Sequence, residues 1–589
     1  EREKALVQIA KNYGFRILGP NILGLIDTVI PLNASFAATM ALPGSIAFMS
    51  QSGALCTSVL DMSSVEGIGF SRFVSLGNKA DLNEVDFLEL WEEDPNTRVI
   101  AAYLEGVTDG ARFLETARRV TRSKPIIAIK AGTTGAGAKA VSSHTGTLAG
   151  SEKAYEAAFK QSGIIRARSV QELFDLAVGF ARQPLLEKNA IAIVTNAGGP
   201  GIMAVDACER VGLQVANLSP ETIAYLKENL PPAASVFNPV DVLGDALADR
   251  YALALEAVLK DPNVGGVIVI LTPQVMTQVE ETARVVGEIS SRYSKPVFGC
   301  FMGRATTEKG ARILREYRIP NYDVPERAVA VFKAMWEYKE WLEKPIPDYP
   351  KFEFDVETIR KVIAQARKEG RLLLGDSEAR LILEACGIKG PRTALARTPE
   401  EAVAIAEEMG YPVVMKIASP DIIHKTDIGG VKLNIQSPSE VRDTFDLLVY
   451  RATRYMPDAT IWGCQVQQMV RGGKEVIVGM SRDPQFGPLI MFGLGGIYVE
   501  ILKDVSFRIA PLSREEAEEM VNEVKSIQLL KGARGERPSD VKAVVDVILR
   551  VARLVTDFPE IVEMDINPLM VLEEGKGAMA VDMRITLSP

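Results

Sequence analysis

The sequence predicts a multidomain α/β protein in which two doubly wound domains precede a mixed α+β segment. The chain has 589 residues, which is enough for about four domains of ordinary size. Short apolar runs alternate with helical stretches along the first part of the chain, the pattern of βαβ units and parallel sheets. With 47% apolar and 24% charged residues, the composition is that of an ordinary globular protein.

The first doubly wound domain is predicted at residues 26–185. Buried strands are expected at 45–50, 99–105 and 125–130, and the domain closes with a helix that begins near Ser169. Ser169 and Glu172 have the spacing of a capping box, which marks a helix start. Residues 1–12 read as a helix that begins abruptly and without Met, so we expect an upstream segment to be absent.

The second doubly wound domain is predicted at residues 186–343. Its strands are expected at 190–195, 264–272 and 296–301, followed by a helix that ends near Trp341. Residues 344–371 begin with a proline-rich run, continue into a charged helix, and are predicted to be a linker. The alternative is a long surface loop inside one domain.

The last block, residues 372–589, has a different pattern. A helix begins at Thr398 with a proline and acidic residues in its first turn, and Gly410 ends it. Strands are expected at 412–416, 460–470, 475–481, 488–493 and 578–583. This mixed segment is long enough for two small lobes.

Charge and cysteine content exclude several kinds of partner and site. The net charge of −9 argues against nucleic acid or an anionic membrane as a partner. No apolar run reaches the roughly 18 residues that a membrane span needs. The five cysteines are scattered without a Cys-x-x-Cys pair, which argues against a zinc cluster or disulfide framework. This cysteine usage predicts a cytoplasmic protein.

Histidine is rare in the chain, and both histidines lie in small-residue loops that contain glycine. They are His144 and His424. Neutral histidine is a nucleophile near pH 7, so this placement suggests covalent work such as phosphoryl transfer. The alternative is that both are incidental surface residues.

Two strand-to-helix turns have the composition of anion sites. The turn at 50–53 and the turn at 195–201 each join a buried strand to a helix through small residues, and exposed N–H groups at a helix start favour an anion. Two such turns in adjacent domains could face one phosphate, although ordinary turn chemistry is the alternative. The candidate cradle residues are Ser50, Ser52, Gly53, Asn196, Gly198 and Gly199.

Glu105 ends a predicted strand, at the sheet edge where α/β domains place functional groups. Its carboxylate could accept an N–H from His144 and leave the other ring nitrogen free to attack phosphorus. The glycine- and alanine-rich run 132–140 precedes His144 and lacks bulky anchors, so it could act as a carrier arm. The alternatives are a solvated glutamate and a loop without function.

The last block contains the parts of a nucleotide site in a characteristic order. Lys416 closes an apolar strand, and the glycines at 429 and 430 can cover phosphate. Asn567 and Asp582 could each give one oxygen to Mg²⁺. In this order the residues are an ATP-grasp signature, although each alone is weak.

These motifs together resemble the ADP-forming acyl-CoA synthetases, relatives of succinyl-CoA synthetase. The resemblance covers essentially the whole chain and implies two flavodoxin-like, succinyl-CoA synthetase-like domains followed by an ATP-grasp domain of two lobes. It implies that residues 1–25 are the tail of a largely missing CoA-binding Rossmann domain. The motifs that carry it are Gly19-Pro20-Asn21-x-x-Gly24, Ser50-x-Ser52-Gly53, Leu76-Gly77-Asn78-x-x-Asp81, Tyr103-Leu104-Glu105-Gly106, Ser143-His144-Thr145-Gly146, Asn238-Pro239-x-Asp241, His424-Lys425-x-Asp427-x-Gly429-Gly430-Val431 and Asp565-Ile566-Asn567-Pro568-Leu569.

The resemblance implies a reversible reaction in which a carboxylic acid, CoA and ATP give acyl-CoA, ADP and phosphate. His144 matches the histidine that carries phosphate, and Glu105 matches the carboxylate that orients it. His424 matches a second histidine that receives phosphate transiently. Asp565 stands where relatives have a glutamate, and this substitution leaves its role open.

The resemblance also implies the remaining site residues and partners. ATP or ADP, Mg²⁺ and CoA are expected, with a small carboxylic acid and phosphate as further substrates and a homodimer as the assembly. Asn567 and Asp582 are expected at the metal. The acyl pocket is expected at Gly77, Asn78, Lys79 and Asn238. The nucleotide-binding residues are expected to be Lys416, Lys425, Gly429, Gly430, Val431 and Gln468.

Three alternatives of other classes remain open from the residues. A catalytically degenerate scaffold of a protein acyltransferase typically lacks the carrier histidine, which is present here. An ATP-grasp carboxylate–amine ligase would need neither His144 nor the second flavodoxin-like unit. A nonenzymatic nucleotide-binding module would need no nucleophile. Acetate, branched, aryl and hydroxy acids all fit the family.

Overall fold

The computed structural model describes residues 2–134, 151–419, 421–422, 428–495, 503–532 and 535–589. The chain forms two compact units, Glu1–Pro345 and Ile346–Pro589. His144, His424 and Lys425 lie outside the described residues. In the described part of the chain, no helix is long and apolar enough to cross a membrane.

The first sheet has the doubly wound order β2-β1-β4-β3-β5-β6-β7. From β4 to β7 the strands run parallel, and β1 and β2 form an antiparallel edge. The order reverses between β3 and β5, and doubly wound folds bind ligands at such a switch point. The strands are β1 (Gly24–Asp27), β2 (Leu32–Ser35), β3 (Pro43–Ser50), β4 (Phe70–Ser75), β5 (Val99–Leu104), β6 (Ile126–Lys130) and β7 (Ile165–Arg166).

The helices of this part begin at polar residues that cap them. Ser52 accepts a hydrogen bond from the N–H of Leu55, and Ser169 accepts one from the N–H of Glu172, as its spacing predicts. The helices are α1 (Arg2–Tyr13), α2 (Gly53–Glu66), α3 (Glu84–Glu92), α4 (Gly110–Thr121), α5 (Glu152–Ser162) and α6 (Val170–Arg182).

The second sheet repeats this plan with the order β10-β8-β11-β12, and β9 also pairs with β8. All of these pairings are parallel, and the order reverses between β8 and β11. Its strands are β8 (Ala190–Thr195), β9 (Gln214–Val215), β10 (Val240–Asp241), β11 (Gly266–Leu271) and β12 (Val297–Phe301). Its helices are α7 (Gly198–Val211), α8 (Pro220–Asn229), α9 (Ala248–Lys260), α10 (Val279–Ser290), α11 (Arg304–Glu316) and α12 (Pro325–Leu342).

The two sheets share one hydrophobic core. Phe48 and Phe174 from the first domain belong to the same buried cluster as Phe298 and Phe332 from the second. The predicted boundary at 185/186 therefore separates two sheets that share this cluster, while the second sheet also has a cluster of its own. The predicted boundary at 25/26 falls inside β1, because that strand pairs with β4.

The second unit contains two antiparallel sheets. The first has the order β13-β16-β14-β15, and the second has the order β19-β18-β17-β20-β21, with β22 also paired to β20. The strands are β13 (Thr393–Ala396), β14 (Val413–Ala418), β15 (Val431–Ile435), β16 (Gly463–Gln468), β17 (Lys474–Asp483), β18 (Gly487–Leu494), β19 (Val505–Ile509), β20 (Ile561–Val571), β21 (Ala578–Ala580) and β22 (Met583–Leu587). These two sheets correspond to the two lobes that the sequence predicts.

The helices of the second unit are α13 (Val356–Lys368), α14 (Asp376–Ala385), α15 (Pro399–Met409), α16 (Pro438–Tyr455), α17 (Arg514–Glu523) and α18 (Val541–Asp557), with a 3₁₀ helix at Lys525–Leu529. Helix α15 begins after Thr398 and ends at Gly410, as predicted.

Two predictions in the second unit need correction. Helix α13 lies in the predicted linker 344–371, but its apolar face, Ile359, Ile363 and Ala366, is buried in the core of the second unit. The predicted strand 578–583 is interrupted, because β21 ends at Ala580 and β22 begins at Met583. Asp582 therefore lies in the turn between two strands.

Candidate active site

The side chain of Gln51 bridges the switch point of the first sheet. Gln51 follows β3, and its Oε1 accepts the backbone N–H of Glu105 at 2.5 Å and that of Gly106 at 2.9 Å. Its Nε2 donates to the carbonyl of Gly106 at 2.6 Å. The end of β3 and the end of β5 are therefore tied together where the strand order reverses. Glu105 itself is buried, with 9% of its surface exposed.

The segment that carries Glu105 is held by further buried groups. Lys79 Nζ donates to the carbonyl of Gly106 at 2.6 Å and to Glu84 Oε2 at 2.9 Å. The other oxygen of Glu84 accepts the N–H of Thr108 at 2.8 Å. Because Glu84 is fully buried, these charge-assisted hydrogen bonds are little screened by solvent. The loop after β5 is thus rigidly placed.

Lys130 supplies a buried cation beside Glu105. It ends β6 with 5% of its surface exposed, and its Nζ lies 4.5 Å from the centroid of the Tyr155 ring. Burial lowers the pKa of Lys130, while the carboxylates of Glu152 and Glu105 act in the opposite direction. Lys130 therefore places a positive charge near the Glu105 carboxylate at the switch point.

The second sheet has an equivalent turn at its own switch point. Ser50 Oγ donates to the Ser52 carbonyl and accepts the Ser52 N–H, both at 3.0 Å, and Thr195 Oγ1 makes the same pair of bonds with Ala197 at 2.9 and 3.0 Å. The next residue, Asn196, accepts the N–H of Thr272 at 2.9 Å, so it ties β8 to β11 as Gln51 ties β3 to β5.

The two helix starts differ in what surrounds their glycines. A Cβ placed on Gly199 would meet nothing within 4 Å, and one on Gly198 would come only within 3.6 Å of Asp241 Oδ2. A Cβ on Gly53 would lie 3.5 Å from the Leu23 nitrogen. Packing therefore leaves the first turn of α7 open, and Ala197 caps that helix without a side-chain hydrogen bond. The N–H groups there can approach an anion closely.

The predicted acyl-pocket residues fall in two separate places. Asn78 donates to Glu3 Oε1 at 2.6 Å, Gly77 has φ +57° and packs against the carbonyl of Pro20, and Lys79 holds the Glu105 segment. Asn238 instead bonds only backbone groups of the second sheet: it accepts the N–H of Ile193 at 2.9 Å and donates to two carbonyls. Through these contacts the Asn238 side chain links backbone segments of the second sheet, and a pocket role for Asn238 stays a prediction.

In the second unit, Lys416 reaches from one sheet to the other. It is buried on β14, and its Nζ donates to the Val581 carbonyl at 3.3 Å and lies 3.7 Å from Asp582 Oδ2. The backbone N–H of Asn567 donates to the Asp582 carbonyl at 3.0 Å. Three residues that are far apart in sequence, Lys416, Asn567 and Asp582, are thereby brought together.

Strand register decides which glutamine faces this cluster. Lys416 pairs with Gln465, and Val414 pairs with Gln467, so these glutamines share the face of Lys416. Gln467 is almost fully buried, and its Nε2 donates to the Val581 carbonyl at 3.5 Å. Gln468 pairs with Val413 on the opposite, helix-covered face and is exposed at the end of β16. The period-two alternation with Cys464 and Val466 could have indicated Gln467.

The glycine turn lies beside the same lysine. The carbonyl of Gly430 accepts the N–H of Ile417 at 2.9 Å, and Val431 pairs directly with Lys416. Gly429 has φ +63°, in the left-handed region that favours glycine. A Cβ at Gly429 would lie 2.5 Å from Arg451 Nη1, the end of a flexible side chain that can move, so the positive φ is the stronger reason for glycine at this turn.

Asp565 lies on the same face of β20 as Asn567. Burial raises the pKa of Asp565, and the neighbouring carboxylates of Asp582 and Glu563 raise it further, against an opposing effect of Arg584. Gly479 pairs with Asp565 on the adjacent strand, and a Cβ there would lie 3.8 Å from Asp565 Oδ1. A concentration of negative charge therefore surrounds Asp582 and suits a cation.

The oxygen donors of this cluster fit Mg²⁺ that arrives with phosphate. Among the described residues, no group of three or more His, Cys, Asp or Glu side chains could hold a metal ion by itself. Magnesium commonly takes one or two protein oxygens and completes its octahedron with water and substrate phosphate. The half-exposed Asp582 carboxylate and the exposed Asn567 amide match that pattern.

Comparison with known proteins agrees with this architecture. Family models describe a succinyl-CoA ligase-like flavodoxin domain at residues 43–180, a ligase-CoA domain at 191–343 and an ATP-grasp domain at 365–587. The acetate–CoA ligase [ADP-forming] I of Archaeoglobus fulgidus is 48% identical over 99% of this chain and 84% of its own length. The 4-hydroxybutyrate–CoA ligase [ADP-forming] of Nitrosopumilus maritimus is 42% identical over 100% of this chain and 84% of its own length.

A solved structure is also similar. The dinucleotide-forming acetyl-coenzyme A synthetase 1 of Ca. Korarchaeum cryptofilum, in complex with phosphate and ADP, is 40% identical with a TM-score of 0.56 and covers 58% of this chain and 74% of that one. The predicted fold class, two flavodoxin-like domains followed by an ATP-grasp domain, is confirmed. On this evidence, the chain belongs to the family of ADP-forming acyl-CoA synthetases, the succinyl-CoA synthetase-like acid–thiol ligases.

Proposed function

We propose that this chain is an ADP-forming acyl-CoA synthetase that works through a phosphohistidine on His144. The observation that carries the proposal is the buried residue Glu105 at the β3/β5 switch point, whose backbone N–H is held by Gln51 while Lys79 holds the carbonyl of Gly106. A fixed carboxylate can accept one N–H of an imidazole and stabilise its charged form. The described part of the chain supplies this partner, and the sequence supplies the imidazole at a spacing that resembles the family's.

The proposed reaction has three group transfers. A ring nitrogen of His144 attacks the γ-phosphorus of ATP, a P–N bond forms, and the P–O bond to ADP breaks. The carboxylate oxygen of the acid then attacks the same phosphorus, the P–N bond breaks, and an acyl phosphate and free His144 result. The thiolate of CoA attacks the acyl carbon, and inorganic phosphate leaves. A covalent carrier allows the two phosphoryl transfers to use different pockets.

The chain's own groups contribute position and charge to these steps. The N–H groups at the starts of α2 and α7 would hold the phosphoryl oxygens, and each helix start adds about half a positive charge. Lys416, with Gly429, Gly430 and Val431 beside it, would hold the nucleotide phosphates. We add Gln467 to this set, because its side chain shares the Lys416 face. Positioning of this kind provides most of the catalysis in phosphoryl transfer.

We further propose that Asn567 and Asp582 hold Mg²⁺, which when bound neutralises charge on the nucleotide phosphates. Asp565, on the same face of β20 as Asn567, is proposed to lie beside this site. Lys425 and His424 remain proposed site residues on the strength of the resemblance. The acyl pocket is proposed beside Gly77, Asn78 and Lys79, and Asn238 is proposed to support it from the second sheet.

The test is phosphate transfer from [γ-³²P]ATP to the chain. We expect acid-labile, alkali-stable label on His144, with loss of label and of acid-dependent ADP release in His144→Ala but retained nucleotide binding. Glu105→Gln should lower the rate of labelling without preventing ATP binding. Unchanged ADP release in His144→Ala would refute the carrier. A panel of acetate, 4-hydroxybutyrate, branched and aryl acids then identifies the substrate.

We also propose a cytoplasmic homodimer, with domain boundaries near residues 23, 186 and 346. The support is the cysteine usage, the resemblance and the extent of the sheets. Light scattering of the purified chain tests the assembly, since a dimer has twice the mass of 64.1 kDa. Limited proteolysis near residue 346 tests the last boundary.

A further inference from the structure

A cavity at the opposite edge of the first sheet is lined by arginines without carboxylates. Its volume is about 340 Å³, and its lining includes Arg98, Arg182 and Arg318 together with Ser45 and Asn96, but no Asp or Glu. The strand start at Pro43 lines the cavity, whereas Ser50 at the other end of β3 belongs to the candidate active site. At about 3.3 Å per residue, the two ends of this strand are roughly 20 Å apart. The cavity is therefore separate from the candidate active site.

The three guanidinium groups converge on one place. Arg98 Nη1 and Arg318 Nη2 donate to the same carbonyl oxygen, that of Ala181, at 3.4 and 3.1 Å. Arg182, the next residue, donates through Nη2 to the Gly67 carbonyl at 2.8 Å. Within the parts of the chain that the structure describes, none of these three arginines makes an ion pair.

Capping of helix α6 explains only part of this arrangement. Ala181 lies in the last turn of α6, where a free carbonyl and a partial negative charge attract a cation. The helix end offers about half a negative charge, whereas three arginines bring three positive charges. The contacts described above include no carboxylate that balances the remaining positive charge. They also include no protein acceptor for the remaining N–H donors.

A neighbouring cavity in the same unit shows the contrast. That cavity, of about 250 Å³, is also lined by arginines, and Arg182 lies between the two cavities, but Glu66, Asp175, Glu308 and Asp323 line the second one as well. Arg327 there is paired with Asp175 at 2.5 Å. The arginine cavity is therefore distinguished by missing carboxylates and not by arginine content. Burial lowers the pKa of Arg182, and the nearby Arg315 and Arg318 lower it further, against an opposing effect of Tyr322.

We propose that Arg98, Arg182 and Arg318 form a binding site for a small, multiply charged oxyanion, distinct from the phosphate sites of catalysis. Guanidinium groups bind phosphate and carboxylate oxygens through paired hydrogen bonds. The cavity volume is that of a small-molecule site and exceeds what one monatomic ion needs. Two of the arginines come from different domains, Arg98 before β5 and Arg318 after α11, so a bound oxyanion would bridge them.

Site-specific arginine modification of the full 589-residue chain tests this site. Phenylglyoxal reacts with free guanidinium groups, and peptide mass spectrometry gives the extent of reaction at each arginine. We expect pyrophosphate or citrate, at constant ionic strength, to protect Arg98 and Arg318. Arg284, an exposed arginine paired with Glu281, should keep its reactivity. Stronger protection by pyrophosphate identifies a phosphate-bearing ligand, and stronger protection by citrate identifies a polycarboxylate.

Variants connect protection to the cluster. In Arg318→Gln, the pyrophosphate concentration that half-protects Arg98 should rise at least tenfold, and Arg318→Lys, which keeps the charge but loses the planar fork, should give an intermediate rise. Arg284→Gln removes the same charge elsewhere and should change nothing. Equal protection of Arg284, or absence of protection at Arg98 and Arg318 in the unmodified sequence, would overturn the proposal. The protection measurement on the unmodified sequence does not depend on the folding of any variant.

Discussion

The carboxamide of Gln51 holds the backbone of Glu105 by a bond between side chain and main chain. Gln51 Oε1 lies 2.5 Å from the Glu105 nitrogen, and Gln51 Nε2 lies 2.6 Å from the carbonyl oxygen of Gly106. The two residues follow neighbouring strands, β3 and β5, at the switch point of the sheet. The Gln51 amide therefore fixes the backbone position of Glu105, the proposed partner of His144.

Gln51→Leu is expected to lower kcat for acid-dependent ADP release by about 10- to 100-fold, because small displacements of catalytic groups cost this much. Gln51→Glu keeps the accepting oxygen and should recover part of the rate. Gln183→Leu is the matched control, because Gln183 also joins two backbone segments, accepting from Val297 and donating to Arg318. Gln183→Leu should reduce the stability of the chain without lowering kcat. Equal losses of rate in both leucine variants would contradict a positioning role.

Ser52→Ala separates helix capping from phosphate binding. Ser52 and Ser169 each cap a helix through one hydrogen bond of 3.2 and 3.1 Å. Removing either hydroxyl should cost about 1 kcal/mol of stability, measured by urea unfolding. Only Ser52→Ala should also slow formation or use of the phosphohistidine, in stopped reactions with labelled ATP. If Ser169→Ala slowed the same step equally, the cradle at α2 would have no special role.

Asp565→Asn is expected to change the pH dependence of stability in a defined direction. Burial raises the pKa of Asp565 above 3.8, so the folded chain holds this proton to higher pH than the unfolded chain. The contribution of Asp565 to stability is complete below pH 3.8 and is lost as the pH rises through the raised pKa. Asparagine does not titrate, so the stability of the variant relative to the parent should increase as the pH rises from 3.8 through the raised pKa of Asp565.

Thermal unfolding across a pH series measures this difference, and Asp245→Asn is the control of opposite sign. The hydrogen bond from Arg250 lowers the pKa of the exposed Asp245. Any contribution of Asp245 is therefore present above pH 3.8 and lost as the pH falls through the lowered value. A stability difference between Asp565→Asn and the parent that does not change with pH would show that burial does not raise the pKa of Asp565.

Lys416→Met is expected to weaken ATP binding by about 10- to 100-fold, since a charge-assisted hydrogen bond contributes about 1.5–3 kcal/mol. Lys416 is buried, and its charge lies 3.7 Å from Asp582. Lys432→Met is the control, because Lys432 is exposed on the adjacent β15. Equilibrium dialysis with labelled ATP gives both dissociation constants. A similar loss in both variants would indicate a general charge effect.

Local sequence patterns were sufficient for the order of the predicted strands and for the helix starts at Ser169 and Thr398. Apolar runs of strand length between capped helices predicted β3, β5, β8 and β11, and Thr398 and Gly410 bounded α15 as expected. These features depend on neighbours within a few residues, so periodicity and capping chemistry are enough. The same local reasoning placed Glu105 at a strand end, whereas the ATP-grasp order of motifs along the chain grouped Lys416, Asn567 and Asp582 as one site.

Contacts between distant segments were decided only by the tertiary structure. Gln51 and Glu105 are 54 positions apart, and their bond depends on β3 and β5 being neighbours in the sheet. The face of Gln467, the turn that carries Asp582 and the burial of α13 likewise depend on register and on partner elements. A sequence states which residues are close along the chain, whereas strand pairing and core packing decide which ones meet in space.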